Sequence, residues 1–158
     1  MKNKKILILL YILFFKQISL AYDIPIEKVQ IFAYNQVFYI ESKKIVFTKN
    51  VQLKYRNFII KADKIVLLQE KNKKNFLEGY GNPIILKQIE KNQIITQISC
   101  TKIYFHITDK ILFLSGGVNF KQINGNIFSD NMTINLKSNI IQANSQNHKQ
   151  TQTILTFK

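Results

Sequence analysis

The groups in this 158-residue chain that could do covalent chemistry are few and scattered. It has one cysteine, Cys100, two histidines, His106 and His148, and nine carboxylates. A thiol nucleophile needs an imidazole within reach. His106 follows Cys100 by six residues, and period-2 alternation puts it on the opposite face from its neighbour Phe105. Cys100 therefore reads as a small buried hydrophobe. His106 and His148 lie far apart with no third ligand at metal spacing, so no metal site is expected. Of the carboxylates only Asp63 and Asp130 recur in similar surroundings, as repeat equivalents and not as a converging acid–base pair. Gly79-Tyr80-Gly81 and Gly116-Gly117 do not open a helix as a phosphate loop must. Asn131-Met132-Thr133 matches a glycosylation sequon, but beside the Asp130 corner it reads as a chance match. With no acid, base, nucleophile or cofactor motif, the chain is expected not to be an enzyme and to need no cofactor.

The elements that carry these residues are strands. From Val46 to Gly81, Val51, Leu53 and Tyr55 alternate with Gln52, Lys54 and Arg56, the pattern of a strand covered on one face. Phe58, Ile60 and Ala62 continue it, and after Asp63 the alternation resumes out of step at Ile65 and Leu67. A corner is expected at Ala62-Asp63, where a small residue fits inside and Asp bonds backbone. Sixty-seven positions on, Val118, Phe120, Ile127, Asp130, Met132 and Ile134 repeat the order of Val51, Leu53, Ile60, Asp63, Ile65 and Leu67. A middle copy of the corner stands at Ile98, Cys100, Ile103 and Phe105. Such units cannot bury their apolar faces alone, which predicts one continuous all-β body.

Before this body stand three lysines within Met1–Lys5, ten apolar residues from Ile6 to Phe15, and Ser19-Leu20-Ala21 with small residues at its ends, the signature of a cleaved secretory signal peptide. Lys16 interrupts the apolar run well short of the ~20 residues that span a bilayer. The expected organisation is a signal peptide at 1–21, a leader at 22–36 with order beginning near Val37, a β-domain at 37–143, and a polar linker with a short last strand at 144–158. Turns are expected at Gly81-Asn82-Pro83, Lys91-Asn92, Asp109-Lys110, Ser115-Gly116-Gly117, Asn124-Gly125 and Ser138-Asn139. The net charge of +14 falls to +10 once Lys2, Lys4, Lys5 and Lys16 are removed. Export argues against nucleic acid and leaves anionic surfaces, lipids or glycolipids as partners. Lysine supplies 22 of the 23 basic residues, so compositional bias accounts for part of that charge.

Ile40-Glu41-Ser42, Val46-Phe47-Thr48, Lys61-Ala62-Asp63-Lys64-Ile65-Val66, Gly79-Tyr80-Gly81-Asn82-Pro83 and Leu112-Phe113-Leu114-Ser115-Gly116, in this order and spacing, resemble the periplasmic bridge proteins of lipopolysaccharide export, the LptA or OstA-like family. Between Ser42 and Phe47 the chain is several residues shorter than that pattern. The resemblance implies an antiparallel β-jellyroll of repeated strand pairs with open edges and an apolar groove for acyl chains. It implies groove positions at Tyr34, Phe38, Leu86 and Phe105, with the inward Ile60, Ile65, Ile98 and Ile103 completing the lining. It also implies head-to-tail oligomers between an inner-membrane-anchored export component and an outer-membrane assembly protein, with lipopolysaccharide bound through lipid A in the periplasm. Lys54, Lys61, Lys64 and Lys121, at outward positions, would face anionic sugars or solvent.

Two other readings fit the residues: a structural periplasmic β-domain with a closed, dry core, and a membrane-anchored relative in the same pathway. The last retains its N-terminus. Cleavage after Ala21 gives a mature chain starting at Tyr22, measurable as intact mass of the envelope-associated protein, whereas retention of Met1 would contradict the signal-peptide reading.

Overall fold

Alternating sequences rich in Ile, Val, Phe and Tyr at their apolar positions favour strands, and the chain forms ten of them. The computed structural model describes residues 28–69, 75–146 and 149–156. The strands are β1 (Val29–Phe32), β2 (Asn35–Tyr39), β3 (Lys44–Tyr55), β4 (Phe58–Gln69), β5 (Asn75–Glu90), β6 (Gln93–His106), β7 (Ile111–Gln122), β8 (Gly125–Asn135), β9 (Ile140–Asn144) and β10 (Gln152–Leu155). They make one antiparallel sheet in which β3 to β8 lie in sequence order. β1 and β2 pair with the two halves of β3, and β9 and β10 with the two halves of β8. Each of these pairs is one interrupted edge strand.

Every long strand changes register at the same level. The shifts fall between Thr48 and Val51, Lys61 and Lys64, Tyr80 and Ile84, Ser99 and Lys102, and Ser115 and Val118. Bulges bend strands, and a row of aligned bulges folds the whole sheet along one line. The two half-sheets then close over a single buried cluster drawn from both, including Phe47, Ile65, Ile103 and Leu114 from one half and Leu53, Ile60, Leu86 and Ile98 from the other. This is the all-β, antiparallel, open jellyroll expected from the sequence.

The corner chemistry is specific. Ala62, Cys100 and Ser129 occupy equivalent small inward positions, and all three are buried. Asp63 accepts a hydrogen bond from the Asn82 N–H at 3.1 Å, and its repeat equivalent Asp130 accepts one from the Gln146 N–H at 2.9 Å. Each carboxylate thus stitches its own corner to the backbone beside it, across the sheet. Gly116 and Gly117 adopt φ of 82° and 73°. A Cβ on Gly116 would collide with the Thr101 side chain, whose hydroxyl donates to the Ser115 carbonyl.

The structure corrects the sequence reading at several points. Gly81-Asn82-Pro83 and Ser115-Gly116-Gly117 do not reverse the chain; they are the bends inside the single strands β5 and β7. Gly and Pro mark bulges as well as turns, so residue type alone does not separate the two. Among the described residues a strand is already present at Val29–Phe32, before Val37, because Ile31 pairs with Leu53 and packs on the core although the strand is too short to show a period. Between Tyr39 and Lys44 a tight turn closed by the Lys43 N–H on the Ile40 carbonyl absorbs the shortened Ser42–Phe47 region. The expected signal peptide and His148 lie outside the described residues, as does Phe157 of the expected last strand at Ile154–Phe157, whose described part appears as β10 (Gln152–Leu155).

Two corner substitutions should move stability in opposite directions. Gly116→Ala forces a side chain into a left-handed backbone against Thr101 and should cost about 1–3 kcal/mol in chemical denaturation. The Ser129 hydroxyl has no hydrogen-bond partner, so Ser129→Ala, which reproduces the Ala62 slot, should be neutral or stabilising by up to about 1 kcal/mol. Loss of stability in Ser129→Ala would show that the hydroxyl is satisfied in solution.

Candidate functional site

Strand pairing aligns side chains into rows that cross the sheet. One inward row runs from Phe38 through Ile45, Leu67, Leu77, Phe105, Leu112 and Ile134 to Ile141. It holds no polar residue, and seven strand spacings make it roughly 34 Å long. Its centre is covered, with Leu77 4% exposed, while its ends are open, with Phe38 62% and Ile141 39% exposed. A second row in the other half-sheet carries Ile31, Leu53, Ile60, Leu86, Ile98 and Phe120. An apolar stripe therefore passes from one sheet edge to the other.

Of the residues expected to line a groove, seven lie in the inward rows at different depths, and Tyr34 stands apart from them. Ile60, Leu86 and Ile98 are contiguous on β4, β5 and β6. Ile65 and Ile103 flank Gly79 in the facing half, fully buried, so protein atoms fill the interior at its centre. Phe105 is half-buried, one row nearer the open side. Phe38 shares its row but lies four strands away, about 19 Å, and Tyr34 is 78% exposed at the β1–β2 junction, its N–H donating to the Lys49 carbonyl. The sequence placed Phe38 on the correct face and missed that it stands at the sheet edge.

Within the Phe38–Phe47 stretch, Phe38 is on the edge strand β2, while the β3 part is paired on both sides, by β2 and β4. The open edges are β1 with β2, and β9 with β10. Among the described residues, ten of the sixteen exposed large hydrophobic ones belong to them, Tyr34 included, a concentration that scattered surface apolar residues do not produce. Each edge is also broken into strands of four or five residues, the short lengths by which sheet edges limit indiscriminate pairing.

On the outer face Lys54 and Lys121 share a row with Lys87, which the sequence reading did not single out. Lys64 and Lys102 both approach the Tyr80 ring, at 5.8 and 5.5 Å. Val66 and Phe76 are buried outside the main cluster, where Phe76 stacks with Tyr104 and meets the edge of His106. Periodicity could not reveal this second small core, since both faces of β4 and β5 are apolar at that level.

Cys100 and His106 do not meet. Cys100 is in the inward corner slot, and His106 faces the outer aromatic group with Nδ1 3.6 Å from the Asp109 carboxylate. Among the described residues no three metal-ligating side chains converge. Burial raises the Cys100 thiol from an ordinary 9.0 to about 11, against a smaller lowering by its Lys102 backbone hydrogen bond. The native thiol therefore keeps its proton after the unfolded one has lost it. The resulting stability is whole below pH 9 and declines toward about pH 11. Cys100→Ala should flatten that decline in denaturation profiles, and Cys100 should resist alkylation until the chain unfolds; rapid labelling of folded protein at pH 8 would contradict its burial.

This geometry has close counterparts. A family model described as LptA/(LptD N-terminal domain) LPS transport protein matches residues 30–140, from β1 to the start of β9. The lipopolysaccharide export system protein LptA of Haemophilus influenzae is 24% identical over 132 residues, covering 82% of this chain and 77% of that protein. The protein of the same name from Escherichia coli K12 is 26% identical over 113 residues, covering 70% of this chain and 61% of its relative, so the match spans about three fifths of that protein. In three dimensions the chain resembles LptH of Pseudomonas aeruginosa, the LptA-homologous periplasmic component of a lipopolysaccharide transport device, with a TM-score of 0.71 at 12% identity over 82% of this chain and 96% of that one. At that identity the likeness establishes the shared fold, and together with the match across nearly the whole sheet it leads to one conclusion: the chain belongs to the LptA/LptD N-terminal domain family of lipopolysaccharide transport proteins.

Proposed function

We propose that this protein is a periplasmic carrier that holds the acyl chains of lipopolysaccharide against its inward face and passes them toward the outer membrane. It makes and breaks no bond. The observation that carries this reading is the unbroken apolar row that crosses eight of the ten strands, β2 to β9, and ends exposed at both edges. Each buried methylene contributes about 0.8 kcal/mol, and positions of similar apolar character let a chain move between them without a deep trap.

The edges support assembly in register. β2 and β9 belong to the same half-sheet, as do β1 and β10, and the first and last interrupted strands run antiparallel. A second copy translated along the sheet therefore sets β2 beside β9 and β1 beside β10 in the sense that continues the ladder, a β-augmentation. The apolar row would then run on from Ile141 of one copy to Phe38 of the next. The same edges suit an inner-membrane-anchored export component and an outer-membrane assembly protein built on this fold.

The competing reading is a closed structural domain, favoured by the complete burial of Ile65, Ile84 and Ile103. For lipid to reach that depth the half-sheets must part, and among the described residues no disulfide ties them together.

Charge insertion separates the two readings. Phe105→Asp, at the half-open level, should leave the sheet folded by circular dichroism. It should weaken lipopolysaccharide binding more than tenfold, the loss of about two methylenes' burial. Ile103→Asp should unfold the chain. If Phe105→Asp also unfolds, or if it binds lipopolysaccharide as the native protein does, the interior is ordinary core.

A further inference from the structure

The bent sheet has its folded line at the bulges and its open side at the hairpin tips, and the tips carry an unexpected residue type. Left-handed backbone at a turn favours Gly, Asn and Asp. Here the β2–β3, β3–β4, β5–β6 and β6–β7 tips place Lys43, Arg56, Lys91 and Lys110 at φ of 47°, 51°, 47° and 57°, and the other two left-handed tip positions are Asn92 at 63° and Asn139 at 56°. Basic residues are 23 of 158 in this chain, so composition alone does not account for four of six such positions. A side chain kept where the backbone disfavours it points to a role for its charge.

The tips also stand in a graded series. In the half-sheet of β10, the inward side chains near the bend are largely apolar; the row nearest the rim is aromatic on β3 and β4, with Tyr55 and Phe58, and polar on β5 to β7, with Gln88 and Thr96 aligned and the Gln122 amide donating to the Thr96 hydroxyl at 3.4 Å. Lys91 and Arg56 close that rim, the Arg56 guanidinium lying over the Tyr55 ring. On the facing rim Lys43 precedes the inward Ile45 by two residues and Lys110 precedes the buried Leu112 by two. Their carbonyls receive the N–H groups of Gln69 and Leu136, which fixes both tips to the neighbouring strand. The nearby carboxylates are Glu41, Glu90 and Asp109; Glu90 accepts from Gln88, and Asp109 faces His106. Lys43, Lys91 and Lys110 have no ion pair among the described residues. On β5 to β7 the order from bend to rim is apolar, neutral polar, cationic, and on the facing rim the lysines follow the apolar row directly, so both rims set cations outside an apolar interior, the profile of an amphiphile with a phosphorylated head.

We infer that Lys43, Lys91 and Lys110, with Arg56, form a cationic lip at the mouth of the interior that holds the phosphate groups of a lipid A-type glycolipid. This inference rests on the carrier reading, since it places the head of the same molecule whose acyl chains lie within. Phosphate bound to lysine is a charge-assisted contact and weakens with salt.

Lys43→Asn, Lys91→Asn and Lys110→Asn combined remove the charges while keeping a residue that accepts the left-handed backbone. The probes are bisphosphorylated lipid A, the same lipid A with both phosphates removed, and phosphatidylglycerol vesicles, each at low and high salt. The triple variant should bind phosphorylated lipid A about tenfold more weakly than the native chain at low salt, with a shallower salt dependence, as expected for three modest exposed charge contacts. Its binding of dephosphorylated lipid A should be unchanged. Equal binding of phosphorylated lipid A by variant and native chain overturns the lip and leaves the carrier reading standing. Equal weakening for both forms of lipid A overturns it as well, and so does loss on phosphatidylglycerol as large as on phosphorylated lipid A, which marks a general anionic surface. If the native chain binds neither form of lipid A, the carrier reading fails and the lip falls with it.

Discussion

The constraint on which everything else depends is that one sheet must cover its own apolar face. The described chain has no helix to lay across it, so the sheet has to fold, and it can fold only if every strand bends at the same level. This explains why the corners are more uniform in chemistry than the strands between them. Ala62, Cys100 and Ser129 are small where the two halves come closest to the fold line. Asp63 and Asp130 hold adjacent backbone at that line, and Gly116 has no room for a side chain. Large inward residues such as Ile65, Ile103 and Leu114 stand beyond it, and Ile84 fills the space opposite Cys100.

A sheet closed by bending and not by joining its ends keeps two edges. The fold meets the hazard by cutting both edge strands into short pieces, yet it leaves ten large hydrophobic residues exposed there. In a monomer that arrangement is costly. In the row of copies proposed above it would become the contact, because each half-sheet would find its continuation in the correct sense. Stability and passage make opposing demands on the same side chains: the centre of the interior is packed as a core is packed, while the ends and the open side are loose. Bending gives a line along which the proposed parting of the halves would occur, and among the described residues no disulfide ties them across it.

Much of this was legible in the sequence because repeats expose their own registers. Ile60 and Ile98, matched by repeat, stand in one row with Ile127, and Ile65, Ile103 and Met132 stand in another. The Ala62-Asp63 corner was readable from a change in alternation. The Gly81-Asn82-Pro83 and Gly116-Gly117 bends were not recognised as the same feature, since a bulge and a reversal use the same residues. The inward orientation of Phe38 followed from parity, but its exposure depends on which strand is last in the sheet, and no local pattern encodes that. β1 was missed because four residues give too little alternation to count. The outer burial of Val66 and Phe76 arises from cross-strand neighbours far apart in sequence, and the left-handed lysines become visible only when backbone dihedrals are known.

The central claim is that the two half-sheets part to admit acyl chains, and the distance between them is the direct observable. Spin labels at position 61 on the outer face of one half and position 133 on that of the other, in a Cys100→Ala background, report it by double electron–electron resonance. The account predicts that adding lipopolysaccharide lengthens this distance, while its acyl-free polysaccharide leaves it unchanged. An unchanged distance in protein that has demonstrably bound lipopolysaccharide would contradict the account and place the lipid outside the interior.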